Sequence, residues 1–408
     1  MEQEQKNRTR ALWSAIVASG TDDLNVMFLA FSLSSIIADL GISSVQAGWI
    51  ATITNFGMLL GGLIFGILAD RYHRFKVFKF TIILFSVATA LIFLTPNLTI
   101  LYLLRFIAGM GVGGEYGVAI AIIASLVPLN KMGRMSSYNG IAGQVGAIAS
   151  ATLAGFLSPY FGWRGLFLFG LAPLALVLWM QFFIDDQALT KALQPKHPIQ
   201  KEKINIQALF QTPGQTGQTL GLMWMTTVQI AGYFGMMNWL PTMMQELTGV
   251  GVKDSSAWMV ATILGMCLGM LTFGRLLDQF GPRLTYGTYL IASMLAVYLF
   301  FTFAHSPWAM ILGGAGMGFF VNGMFAGYGA MISHLYPHAI SATANNVILN
   351  VGRAVGGFSS VIIGWLLDAS SMQVVMLFLA GLYLTSLLVM LSLPALKPKH
   401  YHKIAEGN

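Results

Sequence analysis

Apolar residues fill this chain in runs of about 20, separated by short polar stretches, and each run is long enough to cross a bilayer core of roughly 30 Å as an α-helix. The runs begin near residues 11, 46, 77, 99, 135, 163, 218, 255, 284, 307, 341 and 371. Helices satisfy their own backbone hydrogen bonds in lipid, so the pattern predicts an all-α membrane protein. Its twelve crossings are numbered here as spans 1 to 12. One longer polar stretch, from about Asp185 to Gly217, breaks the rhythm with Lys-Pro, Pro-Ile and Thr-Pro-Gly steps; its only expected element is a short surface helix over Ile204–Phe210. The chain then divides into an N-terminal six-helix half (1–185), a cytoplasmic linker (186–217), a C-terminal six-helix half (218–396) and a cytoplasmic tail (397–408).

The punctuation of the first half recurs in the second. Gly66-Ile67-Leu68-Ala69-Asp70-Arg71-Tyr72-His73-Arg74 closes span 2, and Gly274-Arg275-Leu276-Leu277-Asp278-Gln279-Phe280-Gly281-Pro282-Arg283 closes span 8, with Gly66 to Gly274 and Asp70 to Asp278 both 208 apart. Pro128, Gly143 and Gly155 match Pro337, Gly352 and Gly364 at 209, and Gly109-Met110-Gly111 matches Gly316-Met317-Gly318 at 207. A nearly constant offset over most of the chain marks a duplicated unit, and parallel repeats of membrane helices are a transporter architecture.

Composition agrees: 56% of residues are hydrophobic and 9% charged, against about 25% charged in a soluble domain. The net charge of +7 does not point to nucleic acid, because its distribution follows the spans. Lys6, Arg8, Arg10, Arg71, Arg74, Lys76, Lys79, Lys131, Arg134, Lys191, Lys196, Lys201, Lys203, Arg275, Arg283, Lys397, Lys399 and Lys403 all fall on one side if the helices alternate. Only Arg164 and Lys253 fall on the other. The positive-inside rule places both termini and the linker in the cytoplasm, and the cell (inner) membrane is the expected location. The first run carries Asp22 and Asp23 in its middle and is too long for the apolar core of a cleaved leader. Cys267, the single cysteine, is expected to be a passive packing residue.

These motifs resemble the major facilitator superfamily over essentially the whole length of the chain. Gly66–Arg74 is similar to the family's loop motif between spans 2 and 3, with His73 in place of its second glycine. Arg105-Phe106-Ile107-Ala108-Gly109-Met110-Gly111-Val112-Gly113-Gly114-Glu115-Tyr116-Gly117 resembles the span 4 motif of proton-linked metabolite symporters, and its ending is most like the branch carrying sialate, lactate and related organic acids. Leu335-Tyr336-Pro337, Ala342-Thr343-Ala344-Asn345 and Asn350-Val351-Gly352-Arg353 resemble spans 10 and 11 of that branch, with His334 and Ser341 where relatives carry an acid and an arginine. The resemblance implies two halves rocking about a central site, driven by a proton gradient with no cofactor, and gates at the two loop motifs. Gly66, Asp70, Arg71, Arg74, Gly274, Asp278 and Arg283 are the expected gating residues. A carboxylate beside guanidiniums at a helix end can hold one gate state, while Gly66 admits close helix packing. A basic turn is also what topology alone requires there.

Ionisable residues inside the spans are more telling, since a charge at bilayer depth costs about 2.5–3.5 kcal/mol on insertion scales. There are five: Asp22 and Asp23 in span 1, Arg105 and Glu115 in span 4, and Arg353 in span 11. Asp22 and Asp23 lie about 18 Å into span 1. Adjacent carboxylates repel and lose water there, which makes them the leading proton-coupling candidates together with Glu115; a pairing of either aspartate with Asn25 or Arg105, or of Glu115 with loop arginines, is the alternative. Arg353 is the residue expected to grip an anion, because its planar fork fits a carboxylate, and Asn346 and Asn350 share its helix face. Arg105 is expected to do the same from the other half, or to balance Asp22 or Asp23. Tyr233 and Asn238 in span 7 are further substrate-binding candidates.

Other chemistry is missing. No glycine loop ends in Lys-Ser or Lys-Thr, so ATP-driven pumping has no support. The histidines lack ligand spacing, so no metal site and no catalytic residue is expected, and the chain reads as a transporter rather than an enzyme. The expected activity is proton-coupled uptake of a small organic anion by a monomer in the bilayer. Proton-coupled export of drugs or other amphipathic compounds is the alternative, and a non-transporting membrane receptor the remaining one.

Overall fold

The computed structural model describes residues 2–127, 129–185, 188–189, 206–303 and 306–397, and every regular element among them is a helix. In the N-terminal half these are α1 (Glu2–Leu40), α2 (Ser44–Arg71), α3 (Arg74–Leu91), α4 (Leu98–Leu126), α5 (Leu129–Leu168) and α6 (Pro173–Phe183). The C-terminal half has α7 (Pro213–Thr248), α8 (Val252–Phe303), α9 (Pro307–Gly323), α10 (Phe325–Leu335), α11 (His338–Gly356), α12 (Ser359–Ala369) and α13 (Met372–Ser392). The expected surface helix before span 7 is a short 3-10 turn, Ile206–Phe210, with Ala208 and Leu209 buried.

Among the described residues nine helical stretches are long and apolar enough to cross a membrane. Two of them turn back on themselves, α5 at Gly162 (φ 64°) and α8 at Gly281 (φ 74°), and each supplies two spans. The remaining span is α7, whose threonines and glutamines dilute its apolar character. Twelve spans result. Span 10 is α9 plus α10, interrupted at Met324, and span 11 is α11 plus α12, interrupted at Gly357 and Phe358.

Two turns repeat with the sequence. Gly41 (φ 61°) ends α1 and Gly249 (φ 67°) ends α7, 208 residues apart, in a left-handed conformation that costs glycine little. The Asn97 side chain accepts from the Ile100 amide to start α4, and the Ser306 side chain accepts from Ala309 to start α9. At the loop motif the repeats diverge. Gly281 takes φ 74°, whereas His73 sits at φ −67°, ψ 108°, an extended conformation open to any residue. The glycine replaced by His73 is therefore not needed in this turn.

The chain forms two compact units, Met1–Lys201 with Gly249–Ala257, and Glu202–Thr248 with Trp258–Asn408. In the first, α2 lies directly on α4. Gly57 and Gly61 face the carbonyls of Phe106 and Met110, and Gly109 and Gly113 return the contact against Thr54 and Met58. A side chain at any of the four would run into backbone. In the second unit Gly265 and Gly269 of α8 face Ala315 and Phe319 of α9, and Gly318 faces Thr262. This is small-residue packing, which lets membrane helices approach to backbone contact.

That pairing corrects two expectations. Gly109 matches Gly318 at an offset of 209, because Gly109 sits on Thr54 and Gly318 on Thr262, whereas Gly316 meets nothing within 4 Å. Gly66 and Gly274 also meet nothing within 4 Å among the described residues, so no close helix crossing is formed at either there.

Polar contacts tie α1 to span 6 at both ends. Asn7 exchanges two 3.0 Å hydrogen bonds with the Asp185 backbone, and Arg10 donates to the Phe183 carbonyl at 2.9 Å. At the other end Asp39 pairs with Arg164 and accepts from the Trp163 indole at 3.2 Å, while the Arg164 guanidinium lies 4.3 Å over the Trp163 ring.

Candidate functional site

In the first unit the chemistry gathers on α1, α2, α4 and α5. Arg105 is 2% exposed, one of the largest fully buried side chains. Its Nε donates to Thr54 Oγ1 of α2 at 3.1 Å, and that hydroxyl donates in turn to the Ile50 carbonyl at 2.7 Å. The guanidinium pairs with no carboxylate among the described residues. Arg105 thus does not balance Asp22 or Asp23, an alternative the sequence left open. A buried cation with no carboxylate partner among the described residues is a rare arrangement in a span.

Asp22 finds a different neighbour. Its carboxyl faces that of Glu115 within hydrogen-bonding reach, linking α1 to α4. Both groups are buried, Glu115 completely, and neither accepts a hydrogen bond from a described donor. Among the described residues Glu115 therefore faces Asp22; the side chains of Arg71 and Arg134 lie outside them. Asp23 is half-buried and points elsewhere: a Cβ on Gly143 of α5 would collide with its Oδ2. Neighbouring helix positions diverge by about 100°, which sends the two aspartates to different partner helices. Gly143 is the gap that admits Asp23. Gln144 beside it is buried with an unpartnered side-chain oxygen.

In the second unit the two interrupted spans hold the candidates. Arg353 lies partly exposed in the last turn of α11, just before the break at Gly357. Asn350 is partly exposed and Asn346 exposed on the same continuous helix. Asn238 is buried, and its amide donates to Ser360 Oγ at 3.1 Å; beside it, the Trp239 indole donates to the Ser360 carbonyl at 3.0 Å. Span 7 thereby grips the first turn of α12. Gln229 does the same for span 10, donating to the Val321 carbonyl at 2.8 Å. Tyr233 is half-buried, its ring edge-on to Phe234 at 5.1 Å.

The gating candidates are more dispersed. The side chains of Asp70 and Arg71 lie outside the described residues. Arg74 opens α3, half-buried. Asp278 is exposed and has no ion pair among the described residues, and Arg283 donates to the Leu391 carbonyl at 2.7 Å. The expected contact of Asp278 with Arg275 and Arg283 is not formed among the described residues; Arg283 satisfies the end of α13 instead.

Thr54, Gln144, Gln229 and Ser360 escaped the sequence reading because uncharged polar residues are common in spans and only their partners on other helices single them out. The repeat carried the one usable signal for Thr54: Thr262 stands 208 residues on and makes the same bond to the carbonyl four residues back, at 3.3 Å.

The family model for the Major Facilitator Superfamily matches residues 15–266 and 248–408. A Haemophilus influenzae protein named for metabolite transport is 35% identical over 400 residues, 95% of this chain and 97% of its own. The cis,cis-muconate transport protein of Acinetobacter baylyi is 29% identical over 362 residues, covering 88% of this chain and 87% of its own. Among solved structures, a bacterial homolog of the human lysosomal transporter Spinster superposes with a TM-score of 0.69 at 15% identity, over 98% of this chain and 97% of that one. Together with twelve helical spans in two repeated halves, these matches show that the chain belongs to the major facilitator superfamily of membrane transporters and is not an enzyme.

Proposed function

We propose that this protein imports a small organic anion, a carboxylate, together with a proton. The observation that carries the reading is Arg105, buried and anchored at Nε by Thr54 but with no carboxylate partner among the described residues. A guanidinium fork binds a carboxylate through two parallel hydrogen bonds. The muconate transporter among the relatives is named for a dicarboxylate, which supports the same substrate class. Arg353, with Asn346 and Asn350 on its face, is the second anion-binding group in this reading, and Tyr233 and Asn238 complete the substrate contacts.

Asp22 and Glu115 carry the proton, with Asp23 beside them. Two bare carboxylates within hydrogen-bonding reach repel, and a proton between them turns that repulsion into a bond. Reorientation of the halves would then follow occupancy of this pair, the gates closing at the two loop motifs. The protein works as a monomer in the inner membrane, needs no cofactor beyond the proton gradient, and has both termini and the 186–217 linker in the cytoplasm, an orientation that the one-sided distribution of basic residues supports.

The test is reconstitution in liposomes. An inward proton gradient should drive accumulation of a labelled dicarboxylate such as muconate, and Arg105→Gln should abolish it. Efflux driven by an inward proton gradient would establish the exporter instead.

A further inference from the structure

We infer that Thr54 is the positioning residue of the anion site, orienting Arg105 from the neighbouring helix. This rests on the reading of Arg105 as the carboxylate anchor and adds a residue to it. Arg105 has long rotamer freedom and lies beside a glycine-lined helix face, yet its Nε is held at 3.1 Å by a hydroxyl whose own proton is committed to the Ile50 carbonyl at 2.7 Å. Thr54 Oγ1 therefore presents its lone pairs to the guanidinium in a fixed orientation. With Nε occupied, the paired donors on the two terminal nitrogens are left for a ligand.

The internal repeat supplies the control. Thr262 is the counterpart of Thr54: each hydroxyl donates to the carbonyl four residues back, and the threonine's own carbonyl receives a glycine of the facing helix, Gly109 or Gly318. Where the first unit has Arg105, the second has Gly314 at an offset of 209, and a Cβ there would stand 2.6 Å from Thr262 Oγ1. The same helix crossing thus exists with and without an arginine. A helix crossing alone needs only a threonine that satisfies its own backbone; the hydrogen bond to a guanidinium is the feature peculiar to the first unit. Thr54 thus serves the ligand site as well as the packing, whereas Thr262 serves packing alone.

The experiment compares Thr54→Val, Thr54→Ser and Thr262→Val in the full-length protein reconstituted in liposomes, with muconate as the probe. Thr54→Val keeps the shape and removes the acceptor. It should raise the half-saturation concentration about tenfold, the loss of one hydrogen bond to a charged group, with little change in maximal rate at saturating probe. Thr54→Ser should restore the parent value, and Thr262→Val should leave it unchanged. Equal effects of Thr54→Val and Thr262→Val, or no effect of Thr54→Val while Arg105→Gln abolishes uptake, would overturn the positioning role and leave the anion reading standing. An unchanged half-saturation in Arg105→Gln would sink the anion reading itself. If Thr54→Val fails to assemble, binding of the probe to purified Thr54→Ser and Thr54→Ala decides between the same outcomes.

Discussion

Asp22, halfway along α1, faces Glu115 of α4, and the oxygens of both carboxyls are buried without a hydrogen-bond donor among the described residues. Neither is paired with a cation among the described residues, so a proton between them is the simplest way to satisfy both. Asp22→Asn or Glu115→Gln keeps the volume and the hydrogen bond but removes the titration. Each variant should lose gradient-driven accumulation of a carboxylate at least about tenfold while retaining exchange of internal for external substrate, and the double variant should be no worse than either single one, since the pair acts as a unit. Accumulation that survives in both single variants would move the proton site elsewhere, with Asp23 next in line.

The glycines on α2 and α8 divide into two kinds that look alike in the sequence. Gly61 and Gly269 face backbone carbonyls of the opposing helix, while Gly66 and Gly274 meet nothing within 4 Å among the described residues. Overpacking a close crossing costs about 1–3 kcal/mol, so Gly61→Ala and Gly269→Ala should each lower the Tm of purified protein clearly. Gly66→Ala and Gly274→Ala should leave it within about 1 °C, since ordinary surface substitutions are nearly neutral. Thermal unfolding in detergent measures all four. If Gly66→Ala destabilises as much as Gly61→Ala, open space at Gly66 is not what the folded protein presents.

The spans, their turns and the duplication were legible because hydropathy and punctuation are properties of one segment at a time. Which face of a helix meets which neighbour is not. Gly66 and Gly274 stand out in the sequence by repeating beside Asp70 and Asp278, yet Gly57, Gly61, Gly265 and Gly269, which repeat equally well, carry the crossings. Arg105 and Glu115 were visible as charges in a span. Their partners Thr54 and Asp22 lie 51 and 93 residues away on other helices, and no local spacing encodes those contacts. Asp22 and Asp23 were inseparable for the same reason: their divergence by about 100° is a property of any helix, but what lies along each direction comes from α4 and α5.

At the far end of α1, Asp39 holds Arg164 with both side chains substantially exposed. Exposed ion pairs add little, because water and salt screen them. Asp39→Asn should therefore lower Tm by no more than about 2 °C, and the difference should vanish at about 1 M salt, where the screening length falls to roughly 3 Å. The Trp163 indole bond to Asp39 survives in that variant as a bond to the amide oxygen. A larger, salt-insensitive loss would mean that this end of α1 is held in drier surroundings than its exposure indicates.

Arg353 makes the sharpest test of the second unit. It stands in the last turn of α11, where the helix stops at Gly357 and restarts at Ser359, and the restarted turn is clamped from α7 through Asn238 and Trp239 onto Ser360. A side chain at a helix break is anchored by backbone that does not slide, which suits a group that must meet a ligand in a set direction. Lysine keeps the positive charge there but gives up the two-pronged geometry. Arg353→Lys should therefore weaken carboxylate binding about tenfold, read as half-saturation in uptake or as the thermal shift produced by the substrate, while Arg353→Gln should weaken it further. Asn238→Ala should act on the same quantity more mildly, by loosening the clamp without removing the charge. Unchanged affinity in Arg353→Lys would take Arg353 out of the binding site and leave the anion to Arg105 alone.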